Sequence, residues 1–331
     1  MTTPPLVQSL ARPTTLSPAR RILRLLAIVS CLPYLTLKVA WILGSHVGIP
    51  DGSSLLEHRT TMVVANTVTV LMDACVIVLA LLLTRPWGLR VRAWLLLVPV
   101  WVASGLLAPI MTGFPVQLLV KAVGGSVQKP SASEPFLDEW VFGVVYGGFI
   151  LQGIALGGLF VLYARQRWGH LWHGTVGEVA LPVSRLLALS ATAVALLPAA
   201  VHLMWAFGST AGLSADLVRD RAADTAALDV LHALYPLVAA AGALVIAFRT
   251  FPRLPVAVPL AVAWVGSGAT GCWGAWLAVA SLTATEIAER PTGLVLLTYA
   301  GQMIAGLLVL TLTVRFFRAR SAATGSTSVL V

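Results

Sequence analysis

Eight apolar stretches, separated by short polar or Pro/Gly-containing breaks, constrain this chain more than any other feature. They run from Leu25 to Leu43, Met62 to Leu83, Trp94 to Met111, Trp140 to Tyr163, Leu186 to Phe207, Leu228 to Phe248, Val256 to Ser281 and Gly293 to Val314. A helix needs about 20 mostly apolar residues to cross bilayer hydrocarbon, where its backbone must satisfy its own hydrogen bonds. Each stretch therefore predicts a transmembrane helix. Composition agrees: 11% of the residues are charged, less than half of the roughly 25% found in soluble domains. The expected fold class is an all-α integral membrane protein with eight transmembrane helices.

A net charge of +9 in a soluble protein would suggest nucleic acid as a partner, but here the position of the charge decides otherwise. With the N-terminus in the cytoplasm, the inner segments collect fifteen arginines, while the outer segments hold six basic residues and ten of the thirteen acids. Both termini are therefore expected on the cytoplasmic side. The expected partners are the lipid bilayer and a small-molecule, ion or lipid ligand, with no nucleic acid. The first stretch is too long for the apolar region of a signal peptide and lacks a small-residue cleavage site, so it reads as a retained helix. Cys31, Cys75 and Cys272 all fall inside spans, without a disulfide framework or metal-type spacing.

The chain also repeats itself. Aligning Trp41 with Trp205 places Lys38 on His202, Gly44 on Gly208, Ser45 on Ser209 and Gly48 on Gly212, at a constant offset of 164. Trp101-Val102-Ala103-Ser104-Gly105 matches Trp264-Val265-Gly266-Ser267-Gly268 at 163, and Gln152 with Ala155 matches Gln302 with Ala305 at 150. The expected organisation is a disordered cytoplasmic tail over 1–20, a first four-helix repeat over 21–165, a cytoplasmic linker over 166–185, a second repeat over 186–318 and a second tail over 319–331. Four helices per repeat make the two repeats parallel, with a pseudo-twofold axis along the membrane normal.

Two outer segments carry local signals. The first repeat has 13 extra residues, which belong to Gly113 to Asp138. Phe114-Pro115, Gly124-Gly125, Pro130 and Pro135 there predict that no long helix persists, and Val116 to Val123 reads as an interfacial piece. Ser54-Leu55-Leu56-Glu57 has capping-box spacing, so the second helix is expected to start outside the hydrocarbon. Asp216, Asp220, Asp224 and Asp229, interrupted by Arg219 and Arg221, read as a solvated helix extension.

Depth can be counted from the nearest cytoplasmic arginine at about 1.5 Å per residue. On that scale Lys38 lies about 21 Å deep, Asp73 about 18 Å, Gln152 and Gln302 about 20 Å, and His202 and His232 about 25 Å, within a core about 30 Å thick. Ser104 and Ser267 fall in the same slab, so every span supplies one polar residue. Such groups normally face the bundle interior or a hydrated cavity, with a partner. Side chains lean toward the N-terminus of their own helix, so Lys38 and Asp73 are expected to lean toward each other, as are His202 and His232.

Each candidate also has a purely structural reading. Lys38 and Asp73 can neutralise each other between two helices; Gln152 and Gln302 can act as interhelical glue, and Ser104-Gly105 and Ser267-Gly268 as close-packing positions. Trp41 and Trp205 read as interface anchors or packing, and the histidines as a satisfied pair, a ligand site or a proton site. The sequence holds no phosphate-binding glycine loop, no metal-protease spacing and no nucleophile elbow.

Pro33-Tyr34-Leu35-Thr36-Leu37-Lys38-Val39-Ala40-Trp41, Arg85-Pro86-Trp87-Gly88 and Asp138-Glu139-Trp140-Val141-Phe142-Gly143-Val144-Val145-Tyr146-Gly147-Gly148 resemble a group of uncharacterised polytopic membrane proteins common in high-GC actinobacteria. The excess of arginine over lysine, 19 to 3, agrees with that source. The resemblance covers most of the membrane region and implies a bacterial plasma membrane. The expected role is a binding or permease-type protein with an intramembrane site built from Lys38, Asp73, Gln152, His202, His232 and Gln302, needing no cofactor. The alternatives are a membrane-embedded enzyme acting on a lipid or isoprenoid, a redox protein with haem held by His202 and His232, and a structural subunit of a membrane complex.

Overall fold

In the computed structural model, which describes residues 17–57, 59–126, 137–179, 183–219, 221–281, 291–323 and 325, seven helices are long and apolar enough to cross a membrane. This is the pattern of a multi-pass helical membrane protein. Among the described residues there is no strand, only an isolated bridge between Thr175 and Pro255. The expected first tail up to residue 16, the breaks at Pro130 and Pro135, and the side chains of Ser54, Glu57, Asp216 and Asp220 lie outside the described residues.

The first span starts earlier than expected and is broken. Helix α1 (Pro18–Val29) begins within the expected tail, with Ser17 capping the Arg20 amide, and α2 (Leu32–Ile42) follows after Ser30 and Cys31. Pro33 is the cause: it has no amide hydrogen, and its ring crowds the carbonyl four residues back. The short α3 (Ser54–Glu57) precedes α4 (Arg59–Leu82). Helix α5 (Ala93–Ala122) corrects another expectation. It continues through Pro109 and Pro115, with Val116 to Ala122 as its last turns rather than a separate interfacial piece. The Thr112 hydroxyl donates to the carbonyls of Ala108 and Pro109, at 3.1 and 3.2 Å, and the Tyr235 hydroxyl donates to Ala108 at 3.2 Å. The last of these bonds ties α5 to the side chain of Tyr235, on a later helix, beside Pro109.

Helix α6 (Glu139–Trp168) is followed by a 3-10 turn, Gly169–Leu171. Part of the segment expected as a linker is docked to a loop further along the chain. Val176 N–H donates to Leu254 O at 2.9 Å, Gly177 N–H to Pro252 O at 2.9 Å, and Val256 N–H to Gly174 O at 3.1 Å. Helix α7 (Arg185–Ala206) is capped by Ser184; then come α8 (Ala215–Arg219), α9 (Ala223–Phe248), α10 (Ala257–Ser281) and α11 (Gly293–Ala323).

Helix α10 is not among the seven, because glycine, serine and threonine dilute its hydropathy; yet it has 25 residues and no charged side chain. It runs antiparallel to α9 and α11. A Cβ on Gly242 of α9 would meet Pro259 and Ala263, and one on Gly266 would meet Ala239. Towards α11, a Cβ on Gly306 would meet Ser267 and Gly271, and one on Gly274 would meet Tyr299, Gln302 and Met303. Small residues allow this close approach of backbones.

Two loops 164 residues apart close in the same way. Trp41 Nε1–H donates to Val47 O at 2.7 Å, and Trp205 Nε1–H to Ala211 O at 2.9 Å. Gly44 and Gly208 have φ of 96° and 92°, while Gly48 and Gly212 both have 75°, a left-handed region that glycine enters without a Cβ clash. Both indoles are buried, at 3% and 4% exposure, so they pack and close loops rather than anchor at an interface. Trp41→Phe and Trp205→Phe should each cost about 1 kcal/mol, the net value of one hydrogen bond. Equilibrium unfolding by SDS in mixed micelles measures this, and a cost confined to one variant would show that the loops are not equivalent.

Candidate functional site

Helices α5 and α10 cross at the matched Trp-x-x-Ser-Gly segments. Trp101 Nε1–H donates to Ser267 Oγ at 3.1 Å, and Trp264 Nε1–H donates to Ser104 Oγ at 3.2 Å. A Cβ on Gly105 would lie 2.4 Å from Gly268 O, so backbone meets backbone here. The serines are packing and hydrogen-bonding positions, and the candidate polar residues divide between the two sides of this seam.

On the first side the expected Lys38–Asp73 pairing does not form. Lys38 Nζ sits 4.8 Å from the ring centroid of Tyr34 and 4.9 Å from that of Trp41, and among the described residues it makes no ion pair within 4.0 Å. Tyr34 and Trp41 flank Lys38 at helical spacing on its own helix, and their ring faces attract the ammonium. Asp73, 4% exposed, is held instead by Gln152, whose Nε2 donates to its Oδ1 at 3.3 Å and also lies 3.6 Å from Cys31 Sγ. Asp73 Oδ2 is buried with no hydrogen-bond partner among the described residues.

On the second side the polar groups form a chain. Gln302 Nε2 lies 3.1 Å from His202 Nε2, and His202 Nδ1 lies 2.9 Å from Asp229 Oδ1. An amide nitrogen can only donate, so His202 Nε2 accepts and Nδ1–H donates to the carboxylate. Asp229 Oδ2 in turn accepts from Arg221 Nη2 at 2.9 Å, and the same nitrogen donates to Trp205 O at 2.7 Å, tying the start of α9 to the end of α7. The His202 and His232 rings are 5.0 Å apart and inclined at 71°. Both ring nitrogens of His202 are engaged, by Asp229 and by Gln302.

Asp229 and Arg221 were missed as site residues. Asp224 and Asp229 are buried, at 1% and 8% exposure, and do not form a solvated helix extension. The chain leaves α8 at Arg219 and restarts at Ala223, which turns Arg221 back over the first turns of α9. The available signal was the eight-residue separation of Arg221 and Asp229 across a break. Asp224 accepts from Gln117 Nε2 of α5 at 3.2 Å, a contact that spacing does not reveal.

Lys38, Asp73 and Gln152 thus gather on one side, His202, His232 and Gln302 on the other. No hydrogen bond or ion pair among the described residues joins the two groups. No family model, curated protein or solved structure matches the chain. The functional reading therefore rests on the chemistry of these two groups.

Proposed function

We propose that the chain is a binding or permease-type protein of a bacterial plasma membrane that takes a small ion or polar solute at intramembrane groups. In this reading it crosses the membrane eight times, with both termini cytoplasmic, as two parallel four-helix repeats over 21–165 and 186–318. The uncharged α10, antiparallel to α9 and α11 along its length, supports the eighth crossing. The matched loops and the reciprocal tryptophan–serine bonds support the repeat.

The observation that carries the function is Asp73 Oδ2, a carboxylate oxygen buried within an apolar helix without a hydrogen-bond partner among the described residues. A carboxylate so placed calls for a proton or a cation, because hydrocarbon supplies neither. Lys38, held by its own aromatic neighbours, makes no ion pair with Asp73 within 4.0 Å, so Oδ2 is open to an exchangeable cation that would compete with the nearby ammonium. The test is cation entry, proton and sodium in separate runs, into proteoliposomes under an inside-negative potential. Entry is expected to fall about tenfold or more in Asp73→Asn, as for a lost functional intramembrane carboxylate. Wild-type rates equal to those of protein-free liposomes for both cations would contradict the permease reading.

A membrane-embedded enzyme acting on a lipid or isoprenoid is the second reading. It draws on an apolar cleft of about 380 Å³ lined by residues including Trp101, Leu106, Trp276 and Met303. None of the six candidate polar residues lines that cleft. A lipid copurifying in stoichiometric amount, identified by mass spectrometry, would favour this reading.

A further inference from the structure

We propose that the small cavity between α5, α9, α10 and α11 is a binding site for one water molecule. That molecule would join His232, Trp273 and Gln302, extending the Arg221–Asp229–His202–Gln302 chain into the seam between the two sides of the bundle. The cavity measures about 10 Å³ and is lined by Pro109, His232, Tyr235, Thr270, Trp273 and Gln302, together with Ala269. That volume suits about one water, which needs two to four polar partners.

The partners are present. Trp273 Nε1 and Gln302 Oε1 are buried and have no hydrogen-bond partner among the described residues. The His232 ring makes ring contacts with His202 and Trp273, but no hydrogen bond among the described residues. The other polar lining groups are committed: the Thr270 hydroxyl donates to Gly266 O at 2.7 Å, and the Tyr235 hydroxyl bonds Thr112 and Ala108.

Hydrogen-bond roles then select the ligand. An indole N–H only donates, an amide oxygen only accepts, and an imidazole does either. A metal cation leaves the Trp273 donor unmet, and an anion without a proton to donate leaves the Gln302 oxygen unmet. A molecule that accepts once and donates twice satisfies all three groups. The size of the cavity keeps larger solutes out, so a solute carried by the protein would pass by way of Asp73 rather than here. The proposal itself does not depend on the transport reading and stands whether or not liposomes take up cations.

The test is nuclear magnetic resonance on the full chain in lipid nanodiscs, with nitrogen-15 in its tryptophan indoles and Trp273→Phe used to assign one resonance. Transfer of magnetisation from water should be about fivefold or more stronger at the Trp273 indole than at Trp101, whose indole is bonded to Ser267. Ala269→Val, which narrows the cavity, should reduce the Trp273 transfer to the Trp101 level while the Trp101 resonance stays in place. Transfer at Trp273 no stronger than at Trp101 in the wild type would overturn the proposal. So would a Trp273 resonance that moves when ammonium chloride is added at constant pH and ionic strength, since ammonia would then be the preferred guest.

Discussion

Gly105→Ala should destabilise the protein by about 3 kcal/mol, the upper end of the range for overpacking a tight interior. The added Cβ would lie 2.4 Å from Gly268 O, 2.6 Å from Gly268 C and 2.8 Å from Cys272 Sγ. Two of these atoms are backbone, so no rotamer change relieves the clash and the helices must separate. Separation lengthens the Trp101–Ser267 and Trp264–Ser104 bonds, leaving the two indole N–H groups unpaired in an apolar setting where water cannot replace the lost acceptors. Gly306→Ala should act similarly at the α10–α11 contact, where the new Cβ would lie 2.7 Å from both Gly271 Cα and Ser267 O. Gly143→Ala and Gly157→Ala are the controls, since nothing lies within 4 Å of a Cβ at either position. Each should be neutral or gain up to about 1 kcal/mol from helix propensity. Equilibrium unfolding in mixed micelles measures all four, and equal behaviour of Gly105→Ala and Gly143→Ala would mean that the crossing is looser than described.

Asp229→Ala should cost about 3–5 kcal/mol, the range for removing one partner of a buried ion pair. It leaves the Arg221 guanidinium and the His202 Nδ1–H without their carboxylate, and the Asp229 and Arg221 side chains are only 11% and 15% exposed. Asp229→Asn keeps an acceptor for His202 while losing the charge facing Arg221, so its cost should be smaller, about 1–3 kcal/mol. The surface pair of Lys121 and Glu139, 3.0 Å apart but 59% and 91% exposed, sets the contrast. Lys121→Ala should change stability by no more than about 0.5 kcal/mol. If Asp229→Ala costs no more than Lys121→Ala, the buried chain from Arg221 to Gln302 does not hold the helices together.

The apolar stretches marked the long helices well, because length and continuity of apolar residues are what a spanning helix requires. Proline misled in both directions. Pro33 breaks the first span, which was expected to be continuous, whereas Pro115 lies inside α5, which was expected to have ended. Whether a helix runs on past a proline depends on how the neighbouring helices pack around it, which is set by tertiary structure. Partner choice was harder still. Leaning directions brought Lys38 towards Asp73, but Tyr34 and Trp41 stand at helical spacing on the same helix and take the ammonium locally. The matching of Trp101 with Trp264 and of Ser104 with Ser267 was visible as equivalence. That each tryptophan bonds the other segment's serine was not, because alignment reports likeness and not contact.

Whether the two sides of the bundle are parallel turns on α10 crossing the membrane, and therefore on which face Gly293 occupies. Single cysteines at Phe251, Gly293 and Gly325, all exposed positions, can be treated with a membrane-impermeant maleimide on intact cells and again after permeabilisation. Labelling of the chain without an added cysteine gives the blank for Cys31, Cys75 and Cys272. Gly293→Cys should react in intact cells, and Phe251→Cys and Gly325→Cys only after permeabilisation. Phe251→Cys and Gly293→Cys reacting from the same face would contradict the eight-crossing arrangement and, with it, two parallel repeats.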